Sequence, residues 1–65
     1  MRDYQELTKE LRGKLILTQE EFAKFLGVSF ASVNRLENGK FEPSIKVKRK
    51  IVELCKENNI NVEDK

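Results

Sequence analysis

Apolar residues recur along this chain at steps of three and four, without the strict alternation of a strand, so the elements the pattern predicts are helices. Tyr4, Leu7, Leu11 and Leu15 share one helical face. Asp3 is placed to cap its start, and Gly13 weakens its last turn, which leaves the end open. Thr18 followed by Glu21 has capping-box spacing, in which the hydroxyl takes an orphan amide and the carboxylate reaches back. Phe22, Ala23 and Leu26 continue that helix as an apolar stripe, and Gly27 supplies the left-handed stop. Ser29 can cap a third helix with Val33 and Leu36 on its buried side, and Asn38-Gly39 ends it. Lys40 to Pro43 reads as a loop. Ser44 can cap a fourth helix, with Ile45, Ile51, Val52 and Cys55 near one side and Asn58-Asn59 at its end. The tail from Ile60 to Lys65 is too short to assign. The expected fold is all-α: one domain over residues 1–65, a bundle of four to five short helices, with no internal repeat or linker.

The second and third helices carry the most specific signal. Two short helices joined across a glycine cross steeply, which requires apolar facing sides and a small residue at the close approach. Counting Gln19 as position one, apolar residues fall at positions four, eight, ten, fifteen and eighteen, alanine at five and glycine at nine. That is the spacing of a helix-turn-helix over residues 19–38.

Composition narrows the function classes. A chain of 65 residues permits one small core. No apolar run is long enough to span a bilayer, and no signal peptide is visible behind Met1, so a soluble, cytoplasmic protein is expected. Cys55 is the single cysteine and there is no histidine. A Cys/His zinc site and Cys–His or Ser–His catalysis are therefore excluded, no cofactor is expected, and an enzyme is a distant reading. The net charge of +2 hides an asymmetry. Met1 to Ala23 holds four Lys/Arg against five Asp/Glu, Lys24 to Lys50 seven against two, and Ile51 to Lys65 two against four. A basic middle third fits a face that meets phosphate; a solvated surface is the plain alternative.

The stretches Leu17 to Ser29 and Val33 to Lys40, followed by Pro43-Ser44, resemble the Cro and phage-repressor type of helix-turn-helix. The likeness runs from about Leu11 to Ser44. It implies a compact helical domain, sequence-specific binding of duplex DNA and a role in transcription control. The chain departs from the pattern in three places. It has room for four helices and a stub where the family has five, Ile16 stands where glycine is common, and Lys48 and Arg49 replace frequent leucines.

By that resemblance, base-edge contacts come from Ser29, Phe30, Ala31, Asn34 and Arg35. Arg35 can pair bidentately with guanine, with a phosphate contact or a solvated charge as the plain alternative, and Asn34 can pair with adenine or hold a phosphate. Phe30 and Ala31 have no side-chain donor but can touch a thymine methyl; Phe30 can equally pack on the turn. Phosphate contacts fall to Gln19, Ser32, Lys40, Ser44 and Lys46, with Lys48, Arg49 and Lys50 extending the patch or simply facing water. Arg12 and Glu37 match family positions that form a structural ion pair. Phe25 and Phe41 stand at usually polar positions and read as satellite packing, with an exposed apolar patch for a partner as the second reading, and Cys55 reads as a core residue. The partners implied are double-stranded DNA and a second copy of the chain, docked through the fourth helix and the tail. A helical protein-interaction module with weak DNA binding is the competing reading.

Overall fold

The computed structural model describes residues 2–63, so Asp64 and Lys65 of the tail lie outside the described residues. It contains α1 (Tyr4–Leu15), α2 (Gln19–Leu26), α3 (Phe30–Glu37) and α4 (Ile45–Glu57), with no strand among the described residues. No helix is long and apolar enough to cross a membrane. Each helix starts at the cap read from the sequence. The side chains of Asp3, Thr18, Ser29 and Ser44 accept from the amides of Glu6, Glu21, Ser32 and Val47, which satisfies donors that the first turn leaves orphaned. At Thr18 the bond is reciprocal, because Glu21 returns a carboxylate to the Thr18 amide at 2.9 Å. Gly27 ends α2 with φ 76°. After α3 the chain turns at Gly39, φ 72°, where a Cβ would sit 3.0 Å from the Gln5 side-chain oxygen.

The core joins all four helices. Leu7, Leu11, Phe22, Val33, Ile51 and Cys55 are fully buried, and Ala23 is nearly so, as a close crossing of α2 and α3 requires. Phe41 packs against this core, as expected of a satellite, whereas Phe25 stays 45% exposed. The fourth helix corrects the sequence reading. Ile45 is 67% exposed, and the buried positions are Ile51, Leu54 and Cys55. Six residues at about 100° each set Ile45 a third of a turn away from Ile51. The tail is also more structured than a stub. Ile60 and Val62 are buried. The Arg2 amide donates to the Val62 carbonyl at 2.9 Å and its guanidinium to the Asn61 carbonyl at 2.7 Å. That guanidinium also pairs with Glu6 and Glu10. The apolar part of the tail is therefore packed within the chain.

A polar pin fixes α3 against α1 and α2. Arg12 grips Glu37 bidentately, Nε to Oε2 at 2.6 Å and Nη2 to Oε1 at 3.0 Å, the expected ion pair. Arg12 also donates to the Leu17 carbonyl at 3.1 Å. Gln19 Nε2 adds a third donor to Glu37 Oε1 at 3.1 Å, and Gln5 donates to the Glu37 carbonyl at 3.0 Å. The Glu37 side chain is only 6% exposed. Burial by itself pushes this carboxyl up, but the hydrogen bonds from Arg12 and Gln19 and the charges of Arg12 and Lys9 outweigh it and hold the pKa below the ordinary value. The bond to Glu37 raises the Arg12 pKa in turn.

Two local features oppose folding. The Thr8 hydroxyl is fully buried with no hydrogen-bond partner among the described residues, which costs about 1–3 kcal/mol. Ile16 caps α1 in the left-handed region, φ 56°, while 87% exposed. A β-branched side chain there pays roughly 1–2 kcal/mol of steric strain and gains almost no burial.

Replacing Ile16 by glycine is therefore expected to stabilise the domain by about 1 kcal/mol, or roughly 4–8 °C in Tm for a chain of this size. An unchanged or lower melting temperature would remove the strain from the account. Glu37→Gln is expected to cost about 3 kcal/mol in denaturant unfolding, because Arg12 is left without its buried partner. The lowered Glu37 pKa also sets a sign. Its contribution is present above the ordinary carboxyl value near 4.5 and fades as pH falls through the folded value. Acid titration of stability should thus be shallower in Glu37→Gln, and parallel acid limbs in the two proteins would contradict the pin.

Candidate nucleic-acid interface

With Val33, Leu36 and Glu37 turned inward, helical geometry sends the remaining side chains of α3 outward. Ser29, Phe30, Ala31, Asn34 and Arg35 are all exposed, so the structure brings the five expected base-contact residues onto one surface. Their polar groups differ in availability. The Ser29 hydroxyl accepts from the Ser32 amide at 3.1 Å and lies 2.9 Å from the Ser32 hydroxyl. Asn34 Nδ2 donates to Gln19 Oε1 at 3.3 Å, and Asn34 Oδ1 accepts from Asn38 at 3.3 Å. The Arg35 carbonyl accepts from the Asn38 and Lys40 amides, but its guanidinium has no hydrogen bond or ion pair among the described residues. Phe30 is 52% exposed beside Arg12, Thr18, Gln19 and Glu20.

The expected phosphate contacts are less uniform. Lys40, just past the Gly39 turn, and Lys46, in the first turn of α4, are exposed. Ser32 is half-buried, and the Ser44 hydroxyl is engaged as the α4 cap at 3.4 Å from the Val47 amide. Gln19 is turned toward the interior of the site: its amide nitrogen serves Glu37 and its oxygen serves Asn34. Sequence reasoning missed this second role, since a glutamine at a helix start fits a phosphate equally well.

Packing also redistributes the basic residues of α4. Lys48 leaves the patch. It pairs with Glu42 at 2.5 Å and lies 5.5 Å from the centre of the Tyr4 ring, and the bond to Glu42 raises its pKa. Lys46 and Lys50 instead line a groove with Lys24 of α2 and with Phe25, whose ring centre lies 6.0 Å from the Lys50 ammonium. The charge asymmetry of the middle segment had counted these lysines, but only the contact of α2 with α4 gathers them. The result is an exposed helical face on which the Arg35 guanidinium has no partner among the described residues and Phe30 and Ala31 present apolar surface, with Lys24, Lys46 and Lys50 in the neighbouring groove. Such a surface can meet a polyanion and offer a guanidinium fork and apolar contacts to base edges.

Comparison with known proteins agrees with this geometry. The family model described as "Helix-turn-helix" matches residues 9–58. Two proteins of Archaeoglobus fulgidus are 43% and 39% identical over 56 residues, which cover 86% of this chain and 75% and 76% of theirs. One from Methanocaldococcus jannaschii is 42% identical over 48 residues, covering 74% of this chain and 68% of its own. All three are described as uncharacterized helix-turn-helix-type transcriptional regulators. No solved structure matches significantly. The matched span takes in the whole α2–turn–α3 unit, all of α4 and the C-terminal part of α1, and the chain belongs to the helix-turn-helix family, as its likeness to the Cro and phage-repressor type implies.

Proposed function

We propose that this protein is a sequence-specific regulator of transcription that binds duplex DNA with α3 in the major groove. The observation that carries the reading is the outward face of α3, with five exposed side chains at base-contact positions, held from behind by the buried Glu37 pin. The names of the three relatives support the regulatory part. In this reading Arg35 takes a guanine edge, because its guanidinium is free and planar. Lys40 and Lys46 take phosphates, and the groove of Lys24, Phe25 and Lys50 extends the backbone contact. Ser44 contributes its main-chain amide more than its hydroxyl, which caps α4, Ser32 is held by the Ser29 cap, and Gln19 and Asn34 position the face through each other.

One domain covers one short half-site, so specificity calls for two copies. The surface open to a second copy is the outer side of α4, where Tyr4, Ile45, Lys48, Arg49, Val52 and Glu53 line a shallow groove with an apolar floor. Arg49 and Glu53 stand one turn apart, so antiparallel packing about a twofold axis that passes between them pairs Arg49 of one copy with Glu53 of the other, the reciprocal pattern of an isologous contact.

Binding is expected to fall steeply with salt, with a log–log slope of about −4 to −5 if ~4–6 phosphates are neutralised per domain. Sites selected from random duplexes then separate two roles. Arg35→Ala should lose roughly 1–3 kcal/mol and flatten the preference at one base pair. Lys40→Ala should weaken all sequences alike and reduce the slope by about 1. Uniform weakening by Arg35→Ala would make Arg35 a phosphate anchor, and a salt-independent affinity would remove the DNA reading. Mass measurement on the same complexes should give two chains per specific site; one chain per site would exclude the α4 dimer.

A further inference from the structure

Resting on the DNA-binding reading, we propose that Phe30 reads the C5-methyl group of a pyrimidine, so that the protein accepts thymine or 5-methylcytosine at one step and binding there responds to cytosine methylation. Phe30 is the first residue of α3, the end that in this docking enters the groove. The fold gives it no full burial: it is 52% exposed, beside Arg12, Thr18, Gln19 and Glu20. An aromatic ring left half in water on the working face of a helix has apolar surface available for contact with a ligand.

The neighbouring polar groups leave that contact as the main source of discrimination at this end of α3. Ser29, the α3 cap, accepts from the Ser32 amide, and the two hydroxyls are bonded to each other. Both ends of the Asn34 amide are engaged, by Gln19 and by Asn38. Ala31, next in line and exposed, is short enough to let the helix backbone approach the groove floor. The free polar reader, Arg35, lies more than one turn further along.

The chemistry of the groove then selects the feature. Among the four standard bases, thymine alone presents a methyl group in the major groove, beside its O4 acceptor, while cytosine presents an N4 donor. A phenyl ring has no donor or strong acceptor with which to tell O4 from N4. It responds to the methyl group alone, and methylated cytosine carries that methyl on the same ring carbon. Burying one methyl group contributes a factor of roughly 4 in affinity, or roughly 16 where two half-sites are altered together.

The test uses the whole chain and the duplex selected from random sequences. Each thymine is replaced in turn by uracil, which deletes only the methyl group. At the responsive position, cytosine and 5-methylcytosine, each paired with guanine, are compared as well. The expected result is one step per half-site where uracil binds roughly 4-fold more weakly than thymine, and where 5-methylcytosine binds roughly 4-fold more tightly than cytosine. In Phe30→Ala and Phe30→Gln both ratios should fall to about 1 with little change in Tm, since the site is half exposed; whichever variant melts as the parent protein does supplies the comparison. Equal binding of thymine and uracil at every position would overturn the methyl reading while leaving DNA binding intact. Ratios that persist in the Phe30 variants would overturn the assignment to Phe30. Failure to enrich any duplex would instead refute the function on which the inference rests.

Discussion

The geometry of this domain depends on one buried carboxylate. Glu37 closes α3, and with 6% of its side chain exposed its charge is tolerable only because Arg12 and Gln19 surround it with donors. Removing a charge from water costs several kcal/mol, and a good ion pair little more than repays it. The arrangement is therefore better understood as a geometric constraint than as a store of stability. Only one rotation of α3 about its axis presents Glu37 to α1 and α2 together. That rotation also buries Val33 and Leu36 and leaves Phe30, Ala31, Asn34 and Arg35 outside. The pin and the reading face are two sides of the same helix, which is why a structural residue is the main determinant of the proposed contact surface.

Size explains the rest of the architecture. A chain of 65 residues buries a smaller fraction of its surface than a larger domain does and has little stability to lose. It recruits the tail, with Ile60 and Val62 completing the core under the hold of Arg2, and it caps all four helices with side chains. Against that stand the unpaired Thr8 hydroxyl and the left-handed Ile16. Ile16 occupies a turn where the related pattern favours glycine, and the exposed branched side chain makes no buried contact that accounts for it.

Much of this was legible in the sequence because it is local. Caps, stops and apolar stripes are relations among residues a few positions apart, so Asp3, Thr18, Ser29, Ser44 and Gly27 identified themselves by type and spacing. The outward face of α3 followed from the same periodicity. Relations across the chain were not legible in that way. Arg12 and Glu37 are 25 positions apart and were paired through family resemblance alone. Gln5 and Gln19 gave no sign that they would serve Glu37. Ile45 was misplaced because the first residue of a helix lies before the periodic stripe is established. Ile60 and Val62 lie in a segment without helical period, and their anchor, Arg2, is 59 positions from Asn61. Lys48, counted with the basic patch, was drawn out of it by Glu42 and Tyr4.

The claim that α3 enters the major groove is tested most directly by chemical protection of the selected duplex. Dimethyl sulfate methylates guanine at N7 in the major groove and adenine at N3 in the minor groove. The account predicts that the bound protein shields guanine N7 at the position Arg35 reads, in both half-sites, and leaves adenine N3 reactive there. Shielding of adenine N3 with guanine N7 unprotected would place the protein in the other groove and contradict the orientation that Glu37 imposes on α3.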